Sequence, residues 1–506
     1  MVQQMEKGAV MKKRFCKQLE GTDTAVFSVM DQAFLFSGNT LTYFPLTDCA
    51  TDMFLSGDYK SEWKDEFIEK YSPKYSEKEI RSTFEKFAEF FKSGVLIPAK
   101  LDEKPNLNFK DYYLKLVQST RCNLHCGYCF SRKSAEFDMS VETAKKAIHQ
   151  FVDEFVPKTD GEKRYIIDLT GSGEPLLRLD FILEVNDFVL QLKKERNINI
   201  FCQLATNGML LSKKVSSLLK KKCILFGVSL DGAKDVSEKN RAGLNYDLVS
   251  KNIREMENKD FFGLAATYSG NNHDFINIFK TLLAFGPEVV GMKPVRLSED
   301  NPNSINKNNI EEIKNSYDRF AKWLYKQLVS GNSSNGNSAN RNSANGNAPH
   351  EKDPKKNDVF NAFAASEDYF ARFLKITLHP LRLFYRCSAG VNAYAVDGKE
   401  NIIICPAFIG KEEGIVGNLN TGIFPEKKAI LENMYADKIE KCKSCWARYT
   451  CGGECFAVSQ QSGGKIGEPN ETMCELKKYL IQLSVYFWTA LRFSHEDIYQ
   501  ECLKKY

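Results

Sequence analysis

Three cysteines, Cys122, Cys126 and Cys129, stand within the short segment RCNLHCGYCF, spaced C-x3-C-x2-C with the aromatic Tyr128 before the last. No other feature of the sequence limits the fold as strongly. Three thiolates on one loop can wrap one face of a four-iron cubane and leave its fourth iron without a protein ligand. A structural zinc site would call for four closed ligands instead. An open iron on such a cluster is a place where a small chelating molecule can bind. The loop follows directly on an apolar segment, YLKLVQS (113–119), that reads as a strand.

Beyond that loop, apolar strands alternate with amphipathic helices as far as about residue 297. The further candidate strands are YIIDLTG (165–171), IFCQLATN (200–207), ILFGVSL (224–230), FGLAATY (262–268) and VVGMKPVRL (289–297), with helical segments such as 141–155 and 181–194 between them. Six strands alternating with helices predict an α/β fold of parallel βα units, an open sheet or a partial barrel. The chain has 506 residues, enough for about two to four domains. Its net charge of +5 is small for this length, and no basic stripe is interleaved with aromatics, so no nucleic-acid partner is expected. The N-terminal segment has no signal-peptide core and no stretch approaches ~18 apolar residues, so a cytoplasmic protein without membrane contact is expected. Fifteen cysteines against six histidines then point to thiolate-built metal sites rather than disulfides.

In this order of motifs the sequence resembles the radical SAM (S-adenosylmethionine) superfamily, and the resemblance implies a partial (β/α)6 barrel over 110–300. The family's Gly-Gly-Glu-Pro segment, which holds the SAM amino group, is matched by Ser172-Gly173-Glu174-Pro175, with Ser at the first Gly. Thr206-Asn207-Gly208 resembles the ribose-contacting turn. Val228-Ser229-Leu230-Asp231-Gly232 followed by Lys239-Asn240-Arg241 is similar to the segments whose Ser and Arg contact the SAM carboxylate and ribose. Lys293-Pro294-Val295-Arg296 resembles the adenine-side strand. The resemblance thus implies Tyr128, Ser172, Gly173, Glu174, Asn207, Ser229, Arg241 and Val295 as cofactor-binding residues, and Cys122, Cys126 and Cys129 as catalytic cluster ligands. All lie at the C-terminal ends of parallel strands, where α/β folds place ligands.

A second constellation, Cys442, Cys445, Cys451, Cys455 and Cys474, with Cys387 and Cys405 upstream and Gly398 between those two, is similar to the SPASM domain of radical SAM peptide maturases. The interval from Gly398 to Cys405 is slightly longer than the family's. The resemblance, over 385–480, implies two auxiliary 4Fe–4S clusters: Cys442, Cys445, Cys451 and Cys474 on the outer one, Cys387, Cys405 and Cys455 on the inner. Three such clusters hold twelve irons and the motifs supply ten thiolates. One spare iron is expected to take SAM. The other, on the inner cluster, is open to a substrate thiolate or another ligand, because the stretch 388–395 contains no eighth Cys.

Residues 1–100 read as a separate domain. AVFSVM (25–30), AFLFSG (33–38) and LTYFPL (41–46) suggest three strands, and helical patterns follow at 61–71 and 76–91, the second with a stripe of Ile80, Phe84, Phe87, Phe90 and Phe91. This resembles the winged-helix-like leader-recognition domain of peptide maturases, which captures a leader peptide by strand addition. Residues 301–380 read as a helical bridge with a low-complexity Asn/Ser-rich insertion, 331–357, expected to be disordered. An amphipathic helix is expected over about 475–493, and 481–506 is read as a C-terminal helix closing the chain's domains. Cys202 and Cys223 are expected in the core. The resemblance as a whole is to thioether-forming maturases of Cys-containing ribosomal peptides, of the sactipeptide and ranthipeptide type, with a flavodoxin- or ferredoxin-type electron donor. Carbon–carbon crosslinking, formylglycine formation in a sulfatase, and a non-catalytic electron carrier are the alternatives. Purified without oxygen, the protein is expected to be brown; a colourless preparation that contains zinc would overturn the cluster assignment.

Overall fold

The computed structural model describes residues 14–505 apart from 102–104, 106, 108, 131–135, 157–161, 258–261, 331–355, 367, 388 and 462–463. The Asn/Ser-rich insertion thus lies outside the described residues, save for its last two, which open a helix, Lys356–Ala364.

Six parallel strands run in chain order across one sheet: Asp111–Leu116, Arg164–Asp168, Asn199–Thr206, Leu225–Ser229, Phe262–Tyr268 and Val289–Pro294. These are the six expected strands, with no end moved by more than three residues. Period-two burial explains them. In the third strand Ile200, Cys202, Leu204 and Thr206 are buried, and Phe201, Gln203 and Ala205 face a half-open side. Small residues meet on that side: Ala205 is in register with Gly227, Gly227 with Gly263, and Ser229 with Ala265. They leave room above the sheet. The connecting helices begin at side-chain caps: Ser140, Ser212, Asn245 and Asp274 each accept the amide three residues on. The segment expected as one helix over 141–155 changes to π-helical winding at Phe151, where Phe151 and Phe155 are both buried.

The sheet does not stop at the first strand. Ala393–Val396 pairs parallel to Asp111–Leu116, and Asn401–Ile403, Ile415–Asn418 and Gly422–Ile423 follow antiparallel, making ten strands. The cysteine-rich region is therefore continuous with the βα sheet. Its first hairpin turn rests on the cluster loop's exit: a Cβ on Gly398 would stand 2.3 Å from the Phe137 ring, so only Gly fits.

The N-terminal part is a four-stranded antiparallel sheet, Cys16–Gln18, Thr24–Val29, Gln32–Ser37 and Thr42–Pro45, with helices Asp48–Ser56, Glu66–Tyr71 and Glu77–Lys92. Sequence patterning shows neither the three-residue strand, too short and polar for an alternation, nor the helix Asp48–Ser56, which Thr47 caps. The expected helix 61–71 shortens to Glu66–Tyr71. The second strand is buried on both faces. Val26 joins Leu35, Phe54, Ile80 and Phe87 in a core under the sheet's own helices. Ala25, Phe27 and Val29 join the main core, where Phe27 lies 6.0 Å and Phe36 5.4 Å from the Trp446 ring. At the same seam Arg448 donates to Asp23 at 2.9 Å and to Asp437 at 3.0 Å, with all three side chains at most 7% exposed.

The C-terminal helix corrects the sequence. It spans Glu471–Ser494, crosses position 480 without a break, and is buried on nearly all sides from Met473 to Leu491 rather than amphipathic. It packs against Tyr369–Leu378 and Ile310–Val329, and a short helix, Glu496–Lys505, follows. No helix of the described residues is long and apolar enough to cross a membrane. Removing one partner of a buried ion pair leaves the other charge stranded. Asp23→Ala should therefore cost about 3 kcal/mol, read as a lower urea midpoint, and a midpoint unchanged from wild type would show that Asp437 suffices for Arg448.

Candidate active site and thiol clusters

The first three cysteines sit on the loop after the first parallel strand. Cys122 and Cys129 are exposed and Cys126 is half-buried. The loop's shape is fixed by backbone bonds. The amide of Cys129 donates to the Cys126 carbonyl at 3.2 Å, that of Gly127 to Asn240 at 3.1 Å, and His125–Cys126 pairs with Arg241–Ala242 as a two-residue antiparallel ladder. Burial pushes the Cys126 thiol up to about 11, and the Arg241 guanidinium opposes that shift.

The end of the second strand presses on this loop. A Cβ on Gly173 would lie 2.0 Å from the Arg121 carbonyl oxygen, and the Glu174 amide donates to that same oxygen at 2.9 Å. Only glycine fits there. The Glu174 carboxylate is buried and turned inward. It accepts from Thr206 Oγ1 at 2.6 Å, the Asn207 amide at 2.8 Å and the Leu176 amide at 3.0 Å. Burial raises its pKa against the pull of these donors. Glu174 is thus a brace between the second and third strand ends, and what the Ser172–Glu174 segment can offer a ligand is its main chain. Asn207 carries the brace onward by donating to Asn123 in the cluster loop at 2.7 Å.

Asp231 is the hub that the sequence motif did not single out. Fully buried, it accepts from Tyr128 Oη at 2.6 Å, Arg241 at 2.8 Å and the Thr267 amide at 2.9 Å. Arg241 also lies over the Tyr128 ring, 5.6 Å from its centroid. Nε of Arg241 is buried and has no hydrogen-bond partner among the described residues, so it is available to an anionic ligand. Ser229 closes the fourth strand, half-buried. Val295 follows the sixth, buried, its amide on the Tyr268 carbonyl at 2.8 Å. An acid two residues past a strand end with an arginine ten residues on was the available sequence signal for Asp231.

Four of the remaining cysteines line one cavity of about 360 Å³: Cys442, Cys445, Cys451 and Cys474, together with Lys477. Cys474 sits in the first turn of the long C-terminal helix, whose N-cap is Asn470. Burial pushes the Cys442 thiol up, and Cys451, Cys474 and Cys445 push it further. Cys474 rises to about 12 for the same first reason, with Lys477 opposing. Cys405 rises to about 11, through burial and then repulsion from Cys455 and Cys387, so these three thiols are neighbours. Cys455, then Cys405 and Cys387, stabilise the charge on Arg296. Among the described residues no three His, Cys, Asp or Glu side chains converge closely enough to hold a single metal ion. Ligands that each bind a different iron of a cubane stand further apart than the ligands of one ion. The donor set is all thiolate and the four-cysteine cavity has the room, so the residues fit four-iron clusters. Of the other cysteines, Cys49, Cys202 and Cys502 are buried and Cys16 is exposed. Cys223, expected in the core, is exposed on a turn with φ of 56° at the entry to the fourth strand.

Strand order, loop and strand-end ligands define a radical SAM domain, and residues 116–281 match the profile of the radical SAM superfamily. The chain carries this domain, the catalytic unit of a superfamily of enzymes that use SAM and a 4Fe–4S cluster. It is 30% identical over 186 residues to an uncharacterised protein of Methanocaldococcus jannaschii, covering 34% of this chain and 59% of that one. It is 29% identical over 151 residues to a cysteine-type anaerobic sulfatase-maturating enzyme of Clostridium novyi, covering 27% and 37%. It is 26% identical over 181 residues to the radical SAM cyclopropyl synthase TigE of Paramaledivibacter caminithermalis, covering 32% and 37%. The chain thus spans 59% or less of the length of these relatives. In fold it is similar to native anSMEcpe with bound AdoMet, with a TM-score of 0.54 at 20% identity over 74% of this chain and 97% of that one. Gly173→Ala should push the Ser172–Glu174 segment off the cluster loop and weaken SAM binding at least tenfold by equilibrium dialysis; binding at wild-type strength would show that the loop can give way.

Proposed function

We propose that this chain is a maturase that joins Cys sulfur to carbon in a ribosomally made, Cys-containing precursor peptide, using one SAM-binding and two auxiliary 4Fe–4S clusters. The observation that carries the proposal is the thiol count at the inner set. Cys387, Cys405 and Cys455 are neighbours, and the sequence offers no eighth cysteine in the stretch 388–395 beside them. A four-iron cluster held there has one iron free for a soft ligand, and a substrate thiolate is the natural one.

When bound, SAM and its cluster supply the 5′-deoxyadenosyl radical, which abstracts a hydrogen atom from carbon. The residues of the chain do the rest. Asp231 fixes Arg241 and Tyr128 against the cofactor site, the Glu174 brace fixes the cluster loop, and the small residues on the half-open face leave space for a peptide segment. Forming the C–S bond removes a hydrogen atom from carbon, a proton from sulfur and one electron; Cys387, Cys405 and Cys455 would hold the group that could take up that electron.

A peptide substrate is supported by the N-terminal sheet. One of its edges, Cys16–Gln18, is tied down at its end: the Gln18 side chain donates to the Ser444 carbonyl and accepts the Trp446 amide. The other edge, Thr42–Pro45, is the last strand of the sheet, with Phe44 packed 4.9 Å from Phe90 of the helix Glu77–Lys92. An extended leader can add there as a further strand. A flavodoxin- or ferredoxin-type protein would supply the reducing electron. The test is co-expression, without oxygen, with the short Cys-containing peptide encoded nearest to this chain, followed by thiol alkylation and mass measurement. Loss of two hydrogens per crosslink, with the matching cysteines no longer alkylated, is the expected result. A hydrogen loss with every Cys still alkylated would overturn thioether formation in favour of carbon–carbon crosslinking. Exchange of sulfur for oxygen together with loss of two hydrogens would identify formylglycine formation.

A further inference from the structure

Cys16 stands on the first strand of the N-terminal sheet, Cys16–Gln18, and belongs to none of the apolar cores that take in Cys49, Cys202 and Cys502. Period two puts Cys16 and Gln18 on one face of that strand. The Gln18 side chain donates to the Ser444 carbonyl at 2.6 Å and accepts the Trp446 amide at 3.2 Å. Cys445 lies between those two residues, so Gln18 clamps the main chain around Cys445 to the strand that carries Cys16. The next strand agrees. Phe27, directly opposite Cys16 in the register, has its ring 6.0 Å from that of Trp446.

The sulfurs meet across this seam. The Trp446 indole N–H donates to the Cys16 sulfur. Lys478, one turn after Cys474 on the long helix and on the wall of the four-cysteine cavity, acts on the thiols of both Cys16 and Cys445. Cys16 keeps a solvent-exposed side, yet the groups around it desolvate its sulfur. That burial, with Cys445 behind it, raises the thiol's pKa, while Lys478 and the indole pull the other way. A fifth sulfur therefore stands beside the outer set, supplied from the far end of the chain.

A four-iron cluster takes four thiolates, and Cys442, Cys445, Cys451 and Cys474 fill that number. A further thiol next to one ligand is placed to stand in for it, because iron takes one soft thiolate as readily as another. We propose that Cys16 is a reserve ligand of the outer cluster, which takes the iron of Cys445 when that sulfur comes off. The exchange balances without an electron: the Cys16 sulfur gives up its proton and bonds iron, and the Cys445 sulfur leaves iron and takes a proton. The proposal rests on reading the outer four cysteines as ligands of one four-iron cluster.

The test is the iron content of the full-length protein after reconstitution with iron and sulfide in the absence of oxygen. Wild type and Cys16→Ala should each hold about twelve irons per chain. A wild type short of that by about four or more overturns the three-cluster reading, and the inference with it; a Cys16→Ala variant alone at about eight makes Cys16 a resident ligand and overturns the reserve role. Cys445→Ala should still hold about twelve, and Cys445→Ala combined with Cys16→Ala about eight. Cys442→Ala, which removes a thiol set among Cys451, Cys474 and Cys445, should by itself hold about eight. In loaded wild type the Cys16 thiol should be alkylated by iodoacetamide; in loaded Cys445→Ala it should resist until a chelator strips the iron. A Cys445→Ala protein that holds no more iron, or accumulates no better, than Cys442→Ala would overturn the proposal. So would a double variant with as much iron as Cys445→Ala, or a Cys16 thiol alkylated as fast in Cys445→Ala as in wild type.

Discussion

Like charges resist being gathered, and this fold groups cysteine sulfurs in three sets that, as the proposed iron ligands, would carry charge as thiolates. Each thiol set has a cation set beside it. Arg241 faces Cys126 on the first loop, Arg296 lies among Cys387, Cys405 and Cys455, and Lys477 stands at the cavity of Cys442, Cys445, Cys451 and Cys474. Two of the three are anchored by a buried carboxylate, Arg241 by Asp231 and Lys477 by Glu454. A cation alone in such surroundings would lose its charge or swing to water; one fixed by an acid keeps both charge and place.

The parts are joined where the sulfurs are. Phe137, just past the first cysteine loop, fills the notch above Gly398 in the cysteine-rich hairpin. Trp446, one residue after Cys445, stacks on the N-terminal sheet, and Arg448 locks to Asp23 there. Cys474 opens the helix that runs through the centre of the molecule. The N-terminal sheet thus touches the segment 442–451 directly.

How much was legible in the sequence depends on how local the signal was. The six parallel strands showed because period-two burial and capped helices are written in neighbouring residues. So did the cysteine sets, by spacing. The strand Ala393–Val396 did not, since four apolar residues in a Gly- and Cys-rich stretch carry no period, and its place beside Asp111–Leu116 is set by pairing across some 280 positions. The burial of Glu471–Ser494 was hidden for a like reason: Lys477, Tyr479 and Gln482 put polar groups along it, and only partners from elsewhere in the chain bury them. Asp231 and Glu454 looked like ordinary acids until the side chains around them were placed.

The pairing of Ala393–Val396 with the first parallel strand also bears on synthesis. As the chain leaves the ribosome, Asp111–Leu116 gains its neighbour Arg164–Asp168 early, but its other edge stays bare until nearly three hundred further residues have emerged. A bare edge next to a newly made cysteine loop invites wrong partners. The nascent protein therefore spends most of its translation with one side of that strand unpaired, a few residues before the loop of Cys122, Cys126 and Cys129.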